Sequence, residues 1–154
     1  MKLATREDIE APIEAVFEQL SDFDGFERAA LRRGADVVRV DSLALPGPGM
    51  AWKAAFDFRG RERQAEIKLT SYDTPNSMAF LVLSSGFDID TTVELVAMSR
   101  SRTRMNLAVS AKPNTIPARL MLQSLKLART NMVKRFRRRV GDFAADLEER
   151  CQTS

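Results

Sequence analysis

Residues 115–150 read TIPARLMLQSLKLARTNMVKRFRRRVGDFAADLEER and carry one continuous apolar periodicity. The apolar side chains recur at steps of three and four, namely Leu122, Leu125, Ala128, Met132, Phe136, Val140, Phe143 and Leu147. This spacing predicts a single uninterrupted amphipathic helix of about 35 residues, or about 50 Å at 1.5 Å per residue. A helix of that length needs a partner surface of similar length, which must come from the segments upstream.

The upstream two thirds of the chain consist of predicted strands with two short helices near the start. Residues 2–10 alternate between apolar and charged side chains, which predicts a first strand. Two short helical patterns follow, the first opened by Pro12 and the second closed by Gly34. Six further strands are predicted at residues 35–43, 50–59, 62–72, 77–84, 87–97 and 102–111.

Turn signals rich in Pro, Gly, Asp and Asn separate these strands, as at 46–49, 59–60 and 73–76. Because such short turns leave no room for parallel crossovers, the strands should form an antiparallel meander. We therefore predict an α+β fold in a single domain, residues 1–154. Its seven-stranded curved antiparallel sheet grips a long C-terminal helix, and two short helices lie between strands 1 and 2. A curved sheet around one helix makes a container.

The composition excludes several kinds of functional site. The chain has no histidine, and its single cysteine is Cys151. Catalytic Ser-His-Asp and Cys-His arrangements, His-ligated metal sites and a disulfide within the chain are therefore ruled out. We expect no metal and no cofactor. Charge appears too early for a signal peptide, and no apolar run approaches about 18 residues. These features predict a cytoplasmic protein without stable membrane insertion.

Positive charge is concentrated in one part of the chain. Residues 95–141 contain 12 Lys and Arg and no Asp or Glu, whereas the remainder carries the other 12 basic residues and all 21 acidic ones. The block is interpreted either as the solvated back of the long helix or as a surface for acidic lipid head groups, an acidic partner or nucleic acid. Because the sheet should cover the apolar stripe of the helix, the first interpretation is simpler. No Tyr or Trp interleaves with the arginines, so no nucleic acid is expected. A homodimer is left open.

The predicted inner face of the sheet contains the candidate ligand-binding residues. Trp52, the only tryptophan, is in phase with Ala54 and Phe56, and the neighbouring strands place many aliphatic side chains on the same side. Few large aromatic residues are available to fill the middle, which favours a cavity, although a solid core is the alternative. Together with residues of the long helix, the candidates are Trp52, Ala54, Phe56, Ile67, Leu69, Tyr72, Phe87, Ile89, Met105, Leu107, Met121, Leu125 and Met132.

Several short motifs, in this order, resemble the START-like, polyketide cyclase/dehydrase and lipid-transport superfamily (SRPBCC, or helix-grip fold). Residues 9–17, IEAPIEAVF, resemble the family's entry into its first helix, and Leu20-Ser21-Asp22 its continuation. Residues 47–52, GPGMAW, resemble its loop into the third strand, and Gly60 occupies the usual hairpin position. Residues 103–107, TRMNL, resemble its strand before the long helix. The resemblance covers essentially the whole chain.

This resemblance implies a deep apolar cavity between the sheet and the C-terminal helix. Its implied function is binding of a small hydrophobic or amphipathic ligand, lipid- or polyketide-like. The iron-binding branch of the superfamily is not expected, because its histidine ligands are absent. Two alternatives remain. One is a cofactor-independent cyclase or dehydrase, with Tyr72 or a cavity carboxylate handling a proton and the catalytic residues otherwise unknown. The other is an interaction module that uses the basic helix face.

Overall fold

The computed structural model describes residues 1–153, which form seven strands and four helices. The strands are β1 (Lys2–Ile9), β2 (Asp36–Arg39), β3 (Ala51–Phe58), β4 (Arg61–Asp73), β5 (Ser77–Ser84), β6 (Phe87–Ser99) and β7 (Arg102–Pro113). The helices are α1 (Ile13–Leu20), α2 (Phe23–Arg32), α3 (Ile116–Leu127) and α4 (Arg129–Thr153). The seven predicted strands and the two inserted helices are confirmed, except that β2 ends at Arg39 and not at residue 43.

All seven strands belong to one antiparallel sheet in the order β1-β7-β6-β5-β4-β3-β2. The meander from β2 to β7 is as predicted, and β1 closes it by pairing along β7. Register places Trp52 opposite Ile67 and Val93 opposite Leu107, so these side chains share one face. That inner face of the curved sheet carries the core and faces the helices.

Local signals explain where the elements begin and end. The Asp22 carboxylate caps α2 by accepting a hydrogen bond from the Gly25 N–H (3.1 Å). Arg59 and Gly60, both with positive φ, form the two-residue turn between β3 and β4. Thr115 caps α3 by accepting from the Ala118 N–H (3.2 Å). Gly86 lies against Thr115, and a Cβ there would collide with the Thr115 hydroxyl. This glycine lets the β5–β6 hairpin approach α3.

The prediction of one uninterrupted C-terminal helix is wrong at Ala128. α3 ends at Leu127, and Ala128 has φ −100° and ψ 15° before α4 begins at Arg129. Alanine is the best helix former, so local propensity does not cause this break. Instead, the two halves pack on different surfaces, α3 on β7 and α4 on β1 and α1. Ala128 is exposed, although the periodicity placed it in the buried stripe.

The core is divided in the same way. The large cluster lies between the inner face of the sheet, α1 and α4, and includes Ile9, Met105 and Leu147, which are completely buried. A small separate cluster joins α3 to the end of the sheet through Phe87, Ala118 and Leu122, with Met121 packed against it. The long C-terminal segment therefore belongs to two packing units.

Candidate functional site

An apolar cavity of about 400 Å³ lies between α2 and the inner face of the sheet. Its walls come from the end of α1, α2, strands β2 to β7 and α4. The lining residues are Leu20, Phe23, Phe26, Glu27, Ala30, Val37, Trp52, Ile67, Met78, Phe80, Val93, Leu107 and Phe143. Twelve of these thirteen side chains are apolar, so the cavity favours an apolar ligand. Its volume falls in the lower part of the usual range for small-ligand pockets, about 300–1,000 Å³.

Aromatic rings form one end of the cavity. Phe23 lies at their centre, with its ring centroid 5.4 Å from that of Trp52, 6.4 Å from that of Phe80 and 6.3 Å from that of Tyr72. Such tilted and edge-on contacts hold the rings in preferred geometries and rigidify the wall. Because Trp52 belongs to this cluster, its indole should sense any molecule that enters.

A β-bulge brings Tyr72 to the inner face. Leu69 pairs with Phe80 and Ser71 with Ala79, so the register shifts at Thr70 and places Leu69 and Tyr72 on the same side. The Tyr72 hydroxyl then donates a hydrogen bond to the Ser21 hydroxyl (2.8 Å), and its ring packs 5.2 Å from that of Phe17. Tyr72 therefore connects β4 to the α1–α2 junction behind the cavity wall.

Glu27 is the single ionisable side chain of the cavity wall. It lies on α2 one turn from Phe23 and three residues before Ala30, at a position where the apolar stripe would otherwise continue. Within residues 1–153 its carboxylate has no hydrogen bond and no ion pair within 4.0 Å, although its charge acts on the Arg39 guanidinium, and the residue is half-buried. Glu27 can therefore accept a hydrogen bond from a polar group of a ligand at the cavity edge.

Three of the predicted ligand-binding residues line this cavity: Trp52, Ile67 and Leu107. Five others lie close to it or in the core behind it. Leu69 and Met105 are completely buried in the large cluster, and Tyr72 packs against that cluster. Ala54 is buried on the inner face of β3, and Phe56 is half-buried farther along the same strand.

The remaining five predicted residues lie away from the cavity. Phe87, Ile89 and Met121 belong to the small cluster beneath α3. Leu125, on α3, and Met132, near the start of α4, are half-buried and do not line the cavity. Because the break at Ala128 directs α3 to the far end of the sheet, the helix contribution to the cavity comes from Phe143 instead.

Of the ten lining residues that were not among the predicted site residues, four come from α2. The periodicity predicts Phe23, Phe26 and Ala30 as the apolar side of a short helix, but it does not say which surface that side covers. On β5 and β6, Met78, Phe80 and Val93 line the cavity. Strand alternation already places Val93 on the inner face, and it would have placed Phe80 and Met78 there, because Phe80 pairs with Leu69 ahead of the bulge at Thr70.

A larger depression of about 670 Å³ lies on the outer face of the sheet between β2 and the β5–β6 hairpin. Charged and amide side chains, including Lys53, Gln64 and Glu66, line it together with apolar residues such as Val38 and Val40, which are about half exposed. Cross-strand register places Lys53 opposite Glu66 on the solvent side of the sheet. This groove is a solvated surface, and we place the candidate site in the smaller apolar cavity.

Part of the basic block is paired with acidic residues of the N-terminal strand. The Arg104 guanidinium bonds the Asp8 carboxylate (2.9 Å), and this hydrogen bond lowers the pKa of Asp8. Arg102 similarly contacts Glu10 (2.7 Å). These pairs connect β7 to β1 and to Glu10, which follows β1. They are acidic neighbours of the kind expected to neutralise part of the positive charge of the basic block. On α3 and in the first three turns of α4, within the described chain, no basic side chain has a carboxylate within 4.0 Å.

A second charged network holds the segment between β2 and β3. The Asp41 carboxylate accepts two hydrogen bonds from Arg39 (2.8 and 2.9 Å) and one each from the backbone N–H groups of Leu43 and Ala51. These bonds, chiefly those from Arg39, lower the pKa of Asp41 well below its usual range. The network fixes the end of β2, which contributes Val37 to the cavity.

Two further findings bear on function. Within residues 1–153, no group of three or more carboxylate or thiol side chains is arranged to hold a metal ion. No helix in the same range combines the length and apolarity needed to cross a bilayer.

Solved structures share this architecture. The protein TTHA0849 from Thermus thermophilus superimposes with a TM-score of 0.68 at 17% identity, over 99% of this chain and 98% of that one. The Zhui aromatase/cyclase from Streptomyces sp. R1128 gives 0.66 at 14% identity, over 99% and 93%. A START superfamily protein from Mycobacterium smegmatis gives 0.56 at 10% identity, over 87% and 95%. At these identities the likeness establishes the fold alone.

Sequence comparison identifies the family. Among curated protein sequences, none matches this chain significantly. The family described as polyketide cyclase / dehydrase and lipid transport, however, matches residues 1–148. That match spans nearly the whole chain and agrees with the START-like fold of its structural neighbours. The chain belongs to the polyketide cyclase/dehydrase and lipid-transport family.

Proposed function

We propose that this protein binds a small hydrophobic or amphipathic molecule, lipid- or polyketide-like, in the cavity between α2 and the sheet. The observation that carries this proposal is the cavity wall, which is apolar at every position except Glu27. Burying a ligand there removes apolar surface from water at about 25 cal/mol per Å². A volume of about 400 Å³ suits a single chain or a few fused rings better than a complete two-tailed phospholipid.

Glu27 gives the ligand a preferred orientation. An entering molecule that carries a hydroxyl or ammonium group can direct it at the carboxylate while its apolar part contacts Phe23 and Trp52. A ligand with a carboxylate at that end would instead be repelled. We therefore expect amphipathic donors to bind better than fatty acids of equal size.

A cyclase or dehydrase is the second candidate, and Glu27 is the observation that favours it. A carboxylate at the wall of an apolar cavity could act as a general acid or base. Acid–base catalysis commonly uses two groups that converge on the substrate, but the second candidate, Tyr72, directs its hydroxyl to Ser21 behind the wall. We therefore favour binding over catalysis.

Trp52 fluorescence and thermal unfolding test the binding proposal. A panel of medium-chain alcohols, amines and polycyclic aromatics should shift the Trp52 emission in a saturable manner. Ligand at 100 times its dissociation constant should stabilise the fold by about 2.7 kcal/mol. If the whole panel leaves both the emission and the melting temperature unchanged, the proposal is contradicted.

Two neighbouring substitutions test whether the ligand binds in the cavity. Ala30→Phe should fill part of the cavity, because Ala30 lines it, and should weaken binding at least tenfold. Ala29→Phe, on the same helix and equally half-buried but outside the lining, is the matched control and should bind as the wild type does. Equal effects of the two variants would place the ligand elsewhere.

A further inference from the structure

α3 exposes an apolar stripe on the side that faces away from the sheet. Ile116, Leu120 and Leu127 are 74%, 60% and 92% exposed. At about 100° per residue, these three positions lie within about 40° of one another and opposite the buried Ala118 and Leu122. Gln123 also lies on this side, which a surface helix normally fills with polar residues. The stripe that we expected the sheet to cover contains Leu122 and Leu125 in α3, which lie on the packed side; Ile116, Leu120 and Leu127 form a second apolar surface outside it.

Two basic side chains lie along one side of the stripe. Arg119 and Lys126 project about 80–100° from its centre, at the boundary between the exposed stripe and the packed face. Arg129, the first residue of α4, donates to the Lys2 carbonyl (3.4 Å). Near the helix start, the Asp88 carboxylate accepts a hydrogen bond from the Asn114 amide. Residues 95–141, which include the whole of α3, contain Lys and Arg but no Asp or Glu.

We infer that α3 docks this protein on the surface of an anionic lipid bilayer. Ile116, Leu120 and Leu127 would enter the boundary between head groups and acyl chains. Arg119 and Lys126 would contact the lipid phosphates, since their long stems let the charged ends reach upwards from one flank of the helix. The mode is peripheral, with the helix parallel to the surface. This inference does not depend on what occupies the cavity.

Charge and apolarity together select a bilayer over other partners. A nucleic acid backbone would engage the cations but would leave the exposed leucines and isoleucine in water. A second copy of the chain would bring Arg119 and Lys126 of both molecules to one interface, without acidic residues of α3 to pair with them. An anionic bilayer offers both an apolar layer and negative charge.

Sedimentation of the full-length protein with lipid vesicles tests the inference. The two probes are vesicles of phosphatidylcholine alone and vesicles of phosphatidylcholine mixed with phosphatidylglycerol. We expect binding to the mixed vesicles, at least tenfold weaker binding to the neutral ones, and weaker binding as salt is raised. No binding to the mixed vesicles, or equal binding to both kinds, would overturn the inference.

Variants at exposed positions separate the two contributions without disturbing the core. Ile116→Ser/Leu120→Ser/Leu127→Ser should weaken vesicle binding at least tenfold. Arg119→Gln/Lys126→Gln should weaken it about 25-fold, at about fivefold for each charge. The control Leu31→Ser/Leu45→Ser removes two leucines that are 63% and 79% exposed elsewhere, and should bind as the wild type does.

The same variants identify the competing partners. The wild-type protein could instead form a dimer in solution and bind no vesicles. If the triple serine variant abolishes that dimer, the stripe is assigned to contact with a second copy of the chain. The protein could instead bind a DNA or RNA oligonucleotide more tightly than it binds mixed vesicles. If the glutamine variant weakens that binding and the serine variant does not, the basic side chains are assigned to nucleic acid. Either result would overturn bilayer docking.

Discussion

The helices α3 and α4 arise from one continuous sequence pattern but are held in very different ways. α4 buries Val140, Ala144 and Leu147 against β1 and α1. Near its end, the Glu148 carboxylate accepts a hydrogen bond from the Glu10 backbone N–H (2.6 Å), which joins α4 to the end of β1. Both packing and polar contacts therefore fix α4 on the sheet.

α3 packs against the rest of the protein through fewer buried side chains. It is capped by Thr115 and packs on the end of the sheet through Ala118 and Leu122, while Leu120 and Leu127 face solvent. Its sequence is apolar on both sides, and only the side that continues the periodicity of α4, with Leu122 and Leu125, is covered. The difference teaches that an apolar pattern identifies surfaces that avoid water, whereas the partner available to each surface determines which one is buried.

Truncating a leucine in each helix should give the largest contrast. Leu147→Ala in α4 should lower the free energy of unfolding by about 2–5 kcal/mol, because Leu147 is completely buried and its removal leaves a cavity. Leu120→Ala in α3 should change it by less than about 0.5 kcal/mol. Urea denaturation measures both. Similar losses would mean that α3 is packed as firmly as α4.

A smaller effect is expected at the start of α4, where the buried face is narrower. Phe136 is half-buried against the large cluster, so Phe136→Ala should cost roughly half of the 3–5 kcal/mol typical of a core phenylalanine. Its exposed neighbour is the control, since Arg137→Ala should stay within about 0.5 kcal/mol of the wild type. Equal values for the two variants would show that α4 is rotated about its axis, with Phe136 turned away from the core.

The smallest effect is a gain in stability. Gly141 lies within α4, and alanine is favoured over glycine in a helix by about 0.8–1.0 kcal/mol. A Cβ at this position would lie 3.3 Å from Oε1 of Glu7, the flexible end of a side chain that can move aside. Gly141→Ala should therefore raise the free energy of unfolding by up to about 1 kcal/mol in the same urea experiment. A loss of stability would mean that Glu7 is held rigidly beneath α4.

The sequence predicts the sheet well because its signals are local. Alternation places Trp52 and Ile67 on one face, the Arg59-Gly60 pair marks a hairpin, and Asp22 caps a helix. The break at Ala128 has no local signal, because alanine favours helix and only the packing of the two halves requires the bend.

The cavity is predicted less completely than the fold because its position depends on how α2 is placed. Trp52, Ile67 and Leu107 follow from strand alternation, and they line the cavity. Phe23 and Glu27 line it as well, but only because the α1–α2 pair folds back over the sheet. Such a contact between distant segments leaves no trace in the spacing of either.

The most direct test of the proposed site is chemical-shift mapping of the isotope-labelled protein with a bound panel ligand. The cavity proposal predicts that the largest shifts cluster at Phe23, Trp52, Val93 and Leu107, with α3 unchanged. Shifts concentrated on the outer face around Lys53 and Glu66, or along the α3 stripe, would contradict it.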